Sequence, residues 1–163
     1  MTATVIRCQA LTKYYGKSRG VEDLTFEVRP GQVFGFLGPN GAGKTTTIRC
    51  LLGLLKPTGG TSFLFDGEVG LNDPAPHARI GYVPGDVAFY GNQTGQWTID
   101  YISGLRGAAP KSADELCQRL QYDPSRRVKE LSKGNRQKLA LVLALMHDPE
   151  LMILDEPTTG LDP

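Results

Sequence analysis

An α/β fold built on a parallel sheet is what this sequence predicts, and two stretches predict it. In the first, the apolar segment Gln32-Val33-Phe34-Gly35-Phe36-Leu37 leads through Gly38-Pro39-Asn40-Gly41-Ala42-Gly43-Lys44-Thr45-Thr46 into residues with Ile48, Leu51, Leu52 and Leu55 at i, i+3, i+4 and i+7. The order reads as buried strand, glycine loop and amphipathic helix. The second is Leu151-Met152-Ile153-Leu154, a short and continuously apolar run of the kind that forms central parallel strands, ending in Asp155 and Glu156. A chain of 163 residues accommodates one such domain with a real core.

The glycine stretch satisfies the pattern G-x-x-x-x-G-K-[ST]. Small residues let the backbone curl so that successive N–H groups point at phosphate oxygens, and the following helix presents the positive end of its dipole to the same anion. Lys44 would reach the outer phosphates. Thr45 offers the hydroxyl suited to a Mg²⁺ ion bridging them, because Mg²⁺ keeps waters and takes few protein ligands. A turn at Pro30-Gly31 introduces the strand, and Lys56-Pro57-Thr58-Gly59-Gly60 reads as the helix stop.

The run 151–154 delivers its two acids at a strand carboxyl end, which is where ligands bind in open α/β sheets. Neighbouring residues at a strand end point to opposite faces, so Asp155 can hold the metal while Glu156 accepts a proton from an attacking water. With the phosphate loop, these acids make the second half of a nucleoside triphosphatase site. An exposed Asp-Glu turn before Pro157 would explain the charge but not the four apolar residues that precede it.

Between these landmarks, 4–11 and 24–28 read as strands, the second with Leu24, Phe26 and Val28 inward. They are separated by a polar and aromatic turn over 13–20. Further strands are expected at 61–65 and 78–83, joined by a loop over 66–76. Composition then turns helical: Trp97, Tyr101, Ile102 and Leu105 make one apolar face, with Trp97 expected in the core, and Leu116 and Leu120 support a second helix beyond Gly107 and Pro110. A last helix carries Leu139, Val142, Leu143 and Met146 and stops at Asp148-Pro149. The expected divisions are therefore 1–85, a β-subdomain with the first part of the core; 86–130, an inserted helical lobe; and 131–163, the return to the core.

Eighteen basic and 17 acidic residues leave a formal charge of +1, which gives no support for nucleic-acid binding. Cys8, Cys50 and Cys117 lack C-x-x-C spacing and are expected to be reduced thiols in a cytosolic protein. The longest apolar stretch, 139–146, is far short of the roughly 20 residues that cross a bilayer. His77, His147 and the Arg126-Arg127 pair are expected at the surface.

Together with the phosphate loop and the acidic strand, Leu131-Ser132-Lys133-Gly134-Asn135 and Leu161-Asp162 make this chain resemble, over its whole length, the nucleotide-binding domain of ATP-binding cassette (ABC) proteins. The Leu-Ser-x-Gly stretch just before a helix discriminates it from other phosphate-loop enzymes. The resemblance implies a P-loop NTPase (RecA-like) core with an antiparallel β-subdomain and an inserted helical subdomain. It also implies ATP and Mg²⁺ as ligands, and a homo- or heterodimer of nucleotide-binding domains that powers a separate transmembrane permease from the cytoplasmic face of the membrane. The stretch Tyr82-Val83-Pro84-Gly85-Asp86 with Thr94-Gly95 is similar to multidrug or antibiotic exporters. Under that resemblance Tyr15, with Tyr14 as its rival, is the platform for adenine; Ser132 and Gly134 touch the γ-phosphate held by the opposite subunit; and Asp162 communicates across the dimer. An N-cap role for Ser132 and a plain turn acid at Asp162 are the simpler alternatives.

Two departures from the family pattern stand out. Gly85 occupies the place of a glutamine that senses Mg²⁺ and the attacking water, leaving that task to Asp86, to water, or to nothing. A γ-phosphate histidine and at least two core strands that the family places after Asp162 are not among these residues, so an uncovered sheet edge is expected. The alternatives to a transport ATPase are a module that binds ATP without turnover and a soluble, non-transport ABC ATPase.

Overall fold

The computed structural model describes residues 4–107 and 109–156, which fall into two compact units, Met1–His77 and Ala78–Pro163. In the first unit, β1 (Ile6–Tyr15), β2 (Ser18–Val28), β3 (Gly59–Leu64) and the two-residue β4 (Gly67–Glu68) form an antiparallel sheet in the order β2-β1-β3-β4. The turn expected over 13–20 is smaller than its composition implied. Tyr14 pairs with Arg19 and Tyr15 with Ser18, so only Gly16 and Lys17 form the hairpin loop. Polar residues here serve as the solvent face of a ladder whose inward positions are Cys8, Leu11, Val21 and Val28.

Helix α1 (Lys44–Leu51) covers this sheet with Ile48, Cys50, Leu51 and Leu52 buried. It ends a turn earlier than its apolar spacing predicts. Gly53 turns into the left-handed region at φ 65°, and the Leu54 and Leu55 amides both fold back onto the Arg49 carbonyl, so Leu55 lies beyond the helix.

The strand expected at 32–37 does not form. Its Phe34 and Phe36 rings stack on Phe26 of β2, at centroid distances of 5.1 and 6.0 Å, while Val33 and Leu37 are 99% and 92% exposed. Apolar composition marks a segment for burial, but a parallel strand also needs a neighbour supplied from far along the chain. Among the described residues no strand pairs with it.

In the second unit β5 (Ile80–Val83) runs parallel to β6 (Leu151–Leu154), in register from Ile80 opposite Leu151 to Val83 opposite Leu154. The crossover contains α2 (Gly95–Arg106), α3 (Ala113–Arg119) and α4 (Lys133–Leu145). Contrary to the central position expected for 151–154, β6 is paired on one side only among the described residues, and Leu154 is exposed. The core of the second unit gathers Ile99, Cys117, Tyr122, Leu131, Leu139, Val142 and Met146. The α4 face is thus the one its periodicity predicts.

Helix α2 differs from expectation. Its buried face is Thr98, Ile99 and Ser103, whereas Trp97, Tyr101 and Leu105 lie on the surface. Trp97 and Tyr101 stack at 4.9 Å, with Tyr90 edge-on to both. An apolar stripe can be satisfied by mutual aromatic contact at the surface when the helices packing against it approach from the Ile99 side. The histidines also depart from expectation, since both are half-buried. His77 Nε2 meets the Leu52 carbonyl at 2.8 Å, and His147 Nε2 meets that of Ile80 at 3.1 Å. Arg126 and Arg127 are exposed, as expected.

Leu139 is fully buried, so Leu139→Ala should lower stability by about 2–4 kcal/mol, read as a reduced urea midpoint at unchanged slope. Burial, with Arg106 adding to it, holds the His147 pKa below its ordinary 6.5. The unfolded chain therefore binds this proton more readily than the folded one, and stability should fall as pH drops below 6.5 toward the depressed folded value. Urea midpoints measured across that range should fall less steeply in His147→Gln than in wild type.

Candidate functional site

In the first unit the glycine loop leads directly into α1, whose N-cap Gly43 takes φ 89°, with Gly41 at φ 82°. Both angles lie where a Cβ is unfavourable. Gly43 is further restricted because any side chain there would run into the Gly20 carbonyl of β2. The helix start is therefore pressed against the hairpin, main chain to main chain. No side chain caps α1 and its first turn contains no acid, so its N-terminal positive potential is not offset locally.

Lys44 Nζ donates to the Gly38 carbonyl at 2.7 Å and to the Pro39 carbonyl at 3.0 Å, and the Ala42 amide donates to the Pro39 carbonyl at 3.1 Å. The ammonium is thus held at the mouth of the loop by neutral acceptors, which anionic oxygens would replace with stronger, charge-assisted partners. Thr45 is the second residue of α1. Thr47 faces inward, its hydroxyl donating to the Gly43 carbonyl at 2.9 Å.

Tyr15 and Tyr14 part company at the end of β1. The Tyr15 hydroxyl lies 3.4 Å from Thr46 Oγ1, and its ring, half-exposed, passes beside Gly20 at the rim of the loop. Lys13 Nζ sits 5.6 Å from the centre of that ring. Tyr14 instead donates to Glu22 at 2.6 Å on the other side of the hairpin. The part played by Gly20, a position small enough for Tyr15, Thr46 and Gly43 to converge on it, was not apparent from the sequence, where it read as the end of the turn over 13–20.

In the second unit Asp155 is 4% exposed and its amide donates to the Val83 carbonyl at 2.9 Å, carrying the parallel ladder past β6. Glu156 follows it, exposed, with φ 50°. The chain thus presents one sheltered and one solvent-facing carboxylate at consecutive positions. Gly85 packs against both, and Asp86 is exposed beside it.

Ser132 is the N-cap of α4, its hydroxyl accepting from the Asn135 amide at 3.2 Å, and Gly134 lies in the first turn. Asp162 lies outside the described residues. The three thiols are free and buried, and burial pushes each above its ordinary range, Cys8 up to about 12. They are poor nucleophiles here.

Comparison with known proteins adds the following. The family model described as "ABC transporter" matches residues 21–159. The bacitracin transport ATP-binding protein BcrA of Bacillus licheniformis is 43% identical over 99% of this chain and 54% of its own length. The probable multidrug ABC transporter ATP-binding protein YbhF of Escherichia coli K12 is 36% identical over 98% of the chain and 29% of its own length. The chain therefore spans about half or less of these relatives. A solved ATP-binding subunit of an ABC transporter superposes with a TM-score of 0.82 at 29% identity, covering 98% of this chain and 69% of that one. The dimeric structure of MJ0796, a bacterial ABC transporter cassette, shares the fold at a TM-score of 0.86 and 22% identity, over 97% and 76% of the two chains.

Removing the α4 cap should separate its structural task from any other. Ser132→Ala is expected to lose about 1 kcal/mol of stability, while Ser132→Asn, which caps equally well, should melt like wild type. Thermal unfolding of the two variants provides the measurement.

Proposed function

The chain belongs to the ABC transporter family, as an ATP-binding domain, and from that premise we propose that it binds and hydrolyses ATP to drive export through a separate membrane subunit. The observation that carries the proposal is the uncapped start of α1, with left-handed Gly41 and Gly43 and the Lys44 ammonium held at the loop mouth. That arrangement supports capture of a polyphosphate by the loop 38–46, with Pro39, Asn40 and Ala42 shaping the curl and main-chain N–H groups and Lys44 meeting the oxygens. The position of Tyr15 beside Thr46 supports its use as the adenine platform in preference to Tyr14.

The Thr45 hydroxyl and the Asp155 carboxylate are hard oxygen donors, a set that fits Mg²⁺, and they would hold it. Bound there, the ion would neutralise charge on the phosphates. Glu156, one residue beyond the sheltered acid and open to solvent, would orient a water and take its proton. Ser132 and Gly134 would meet the γ-phosphate from a second domain and Asp162 would act across the same dimer, so turnover would require two copies. Transport of bacitracin and of multiple drugs, named for BcrA and YbhF, supports an export-type role here. Among the described residues no helix is long and apolar enough to cross a membrane, in keeping with a membrane path supplied by a partner.

Phosphate release from MgATP tests this reading. Glu156→Gln should bind ATP as wild type does and release phosphate about 100-fold more slowly. Equal rates in the two proteins, with ATP still bound, would replace the ATPase with a module that binds nucleotide without turning it over.

A further inference from the structure

The segment Pro84-Gly85-Asp86 leaves β5 directly alongside the acids that end β6. Because the Asp155 amide donates to the Val83 carbonyl at 2.9 Å, the ladder outlasts both strands and draws Gly85 onto the main chain of Asp155. A carbon added at Gly85 would lie 3.2 Å from the Asp155 carbonyl oxygen and 3.6 Å from Glu156 Cβ. The first distance is tighter than ordinary contact, and the atom that must yield is backbone rather than the end of a flexible chain. Retreat of the loop would strain the adjoining Asp155–Val83 hydrogen bond.

Glu156 makes the contact consequential. Its φ of 50° lies in the left-handed region, which a non-glycine residue occupies only where its surroundings over-determine it. The ladder bond at the Asp155 amide is one of those surroundings, and Gly85 is what lets the 84–86 loop lie close to it. A Cβ at position 85, such as a glutamine would bring, requires the Asp155 carbonyl to give way by a few tenths of an ångström.

We propose that Gly85 is a positioning residue for Glu156: the bare α-carbon lets the 84–86 loop seat against Asp155, which leaves the Asp155–Val83 ladder bond, and the Glu156 backbone that follows it, undisplaced. The kinetic consequence rests on the ATPase reading above; the packing does not. This site is built around a missing side chain, and restoring one displaces the acid instead of adding a sensor.

Gly85→Ala and Gly85→Gln test the proposal in the full chain, with Gly104→Ala as a control because nothing surrounds that glycine within 4 Å. Amide exchange at Asp155 should quicken about five-fold in Gly85→Ala and ten-fold or more in Gly85→Gln, while amides in the α4 core keep wild-type protection. In the same order kcat should fall by about five- and ten-fold, with the KM for MgATP within about two-fold of wild type; general destabilisation would not give that split. The control should match wild type in both measurements. Gly85→Gln with wild-type exchange, or with unchanged or higher kcat, overturns the proposal. Should wild type and Glu156→Gln release phosphate equally, the ATPase reading fails, and exchange at Asp155 still decides the packing claim.

Discussion

The close approach of main chain to main chain at Gly43 and Gly20 is the constraint on which the first unit turns. Two positions without side chains let the start of α1 press against the β1–β2 hairpin. Around that contact α1 starts without a side-chain cap, the preceding loop turns through left-handed glycines and Tyr15 lies at its rim. A loop of this kind depends on backbone direction more than on side-chain chemistry, which is why small residues dominate it. Lys44 supplies the one full charge, and its carbonyl partners in the loop keep it where phosphate oxygens would need it.

The second unit solves a different problem, namely how to hold two adjacent carboxylates in unlike surroundings. The parallel register of β5 and β6 brings Asp155 under shelter and puts Glu156 into solvent one residue later. Helix α4 packs on β5, with Leu139, Val142 and Met146 in the core of the second unit, and Ser132 caps its start. Cap and buried face come from the same short stretch, so the helix is set in direction and in rotation by residues close together in sequence.

Legibility followed the range of the interaction. The glycine loop opening α1, the acids ending β6, the α4 face and the Ser132 cap could be read because each depends on neighbours within a turn or on a run of a few residues. The failures lie at longer range. Val33 and Leu37 have the composition of a buried strand, yet pairing depends on a partner that composition does not name. Trp97 and Tyr101 sit at helical spacing, yet they stack on each other at the surface while Ile99 takes the core. Gly20 and Gly85 were legible as small residues, but what they make room for was not.

By itself, then, the sequence determined the local pattern: a glycine loop opening a helix, two acids closing a strand, and family membership through the order of these motifs. Tertiary structure alone decided which face of α2 is buried, which tyrosine meets the loop, how short the hairpin turn is, and that Gly85 lies against Glu156. The physical reason is that periodicity and capping are properties of adjacent residues, whereas close approach and strand pairing are properties of segments that only folding brings together.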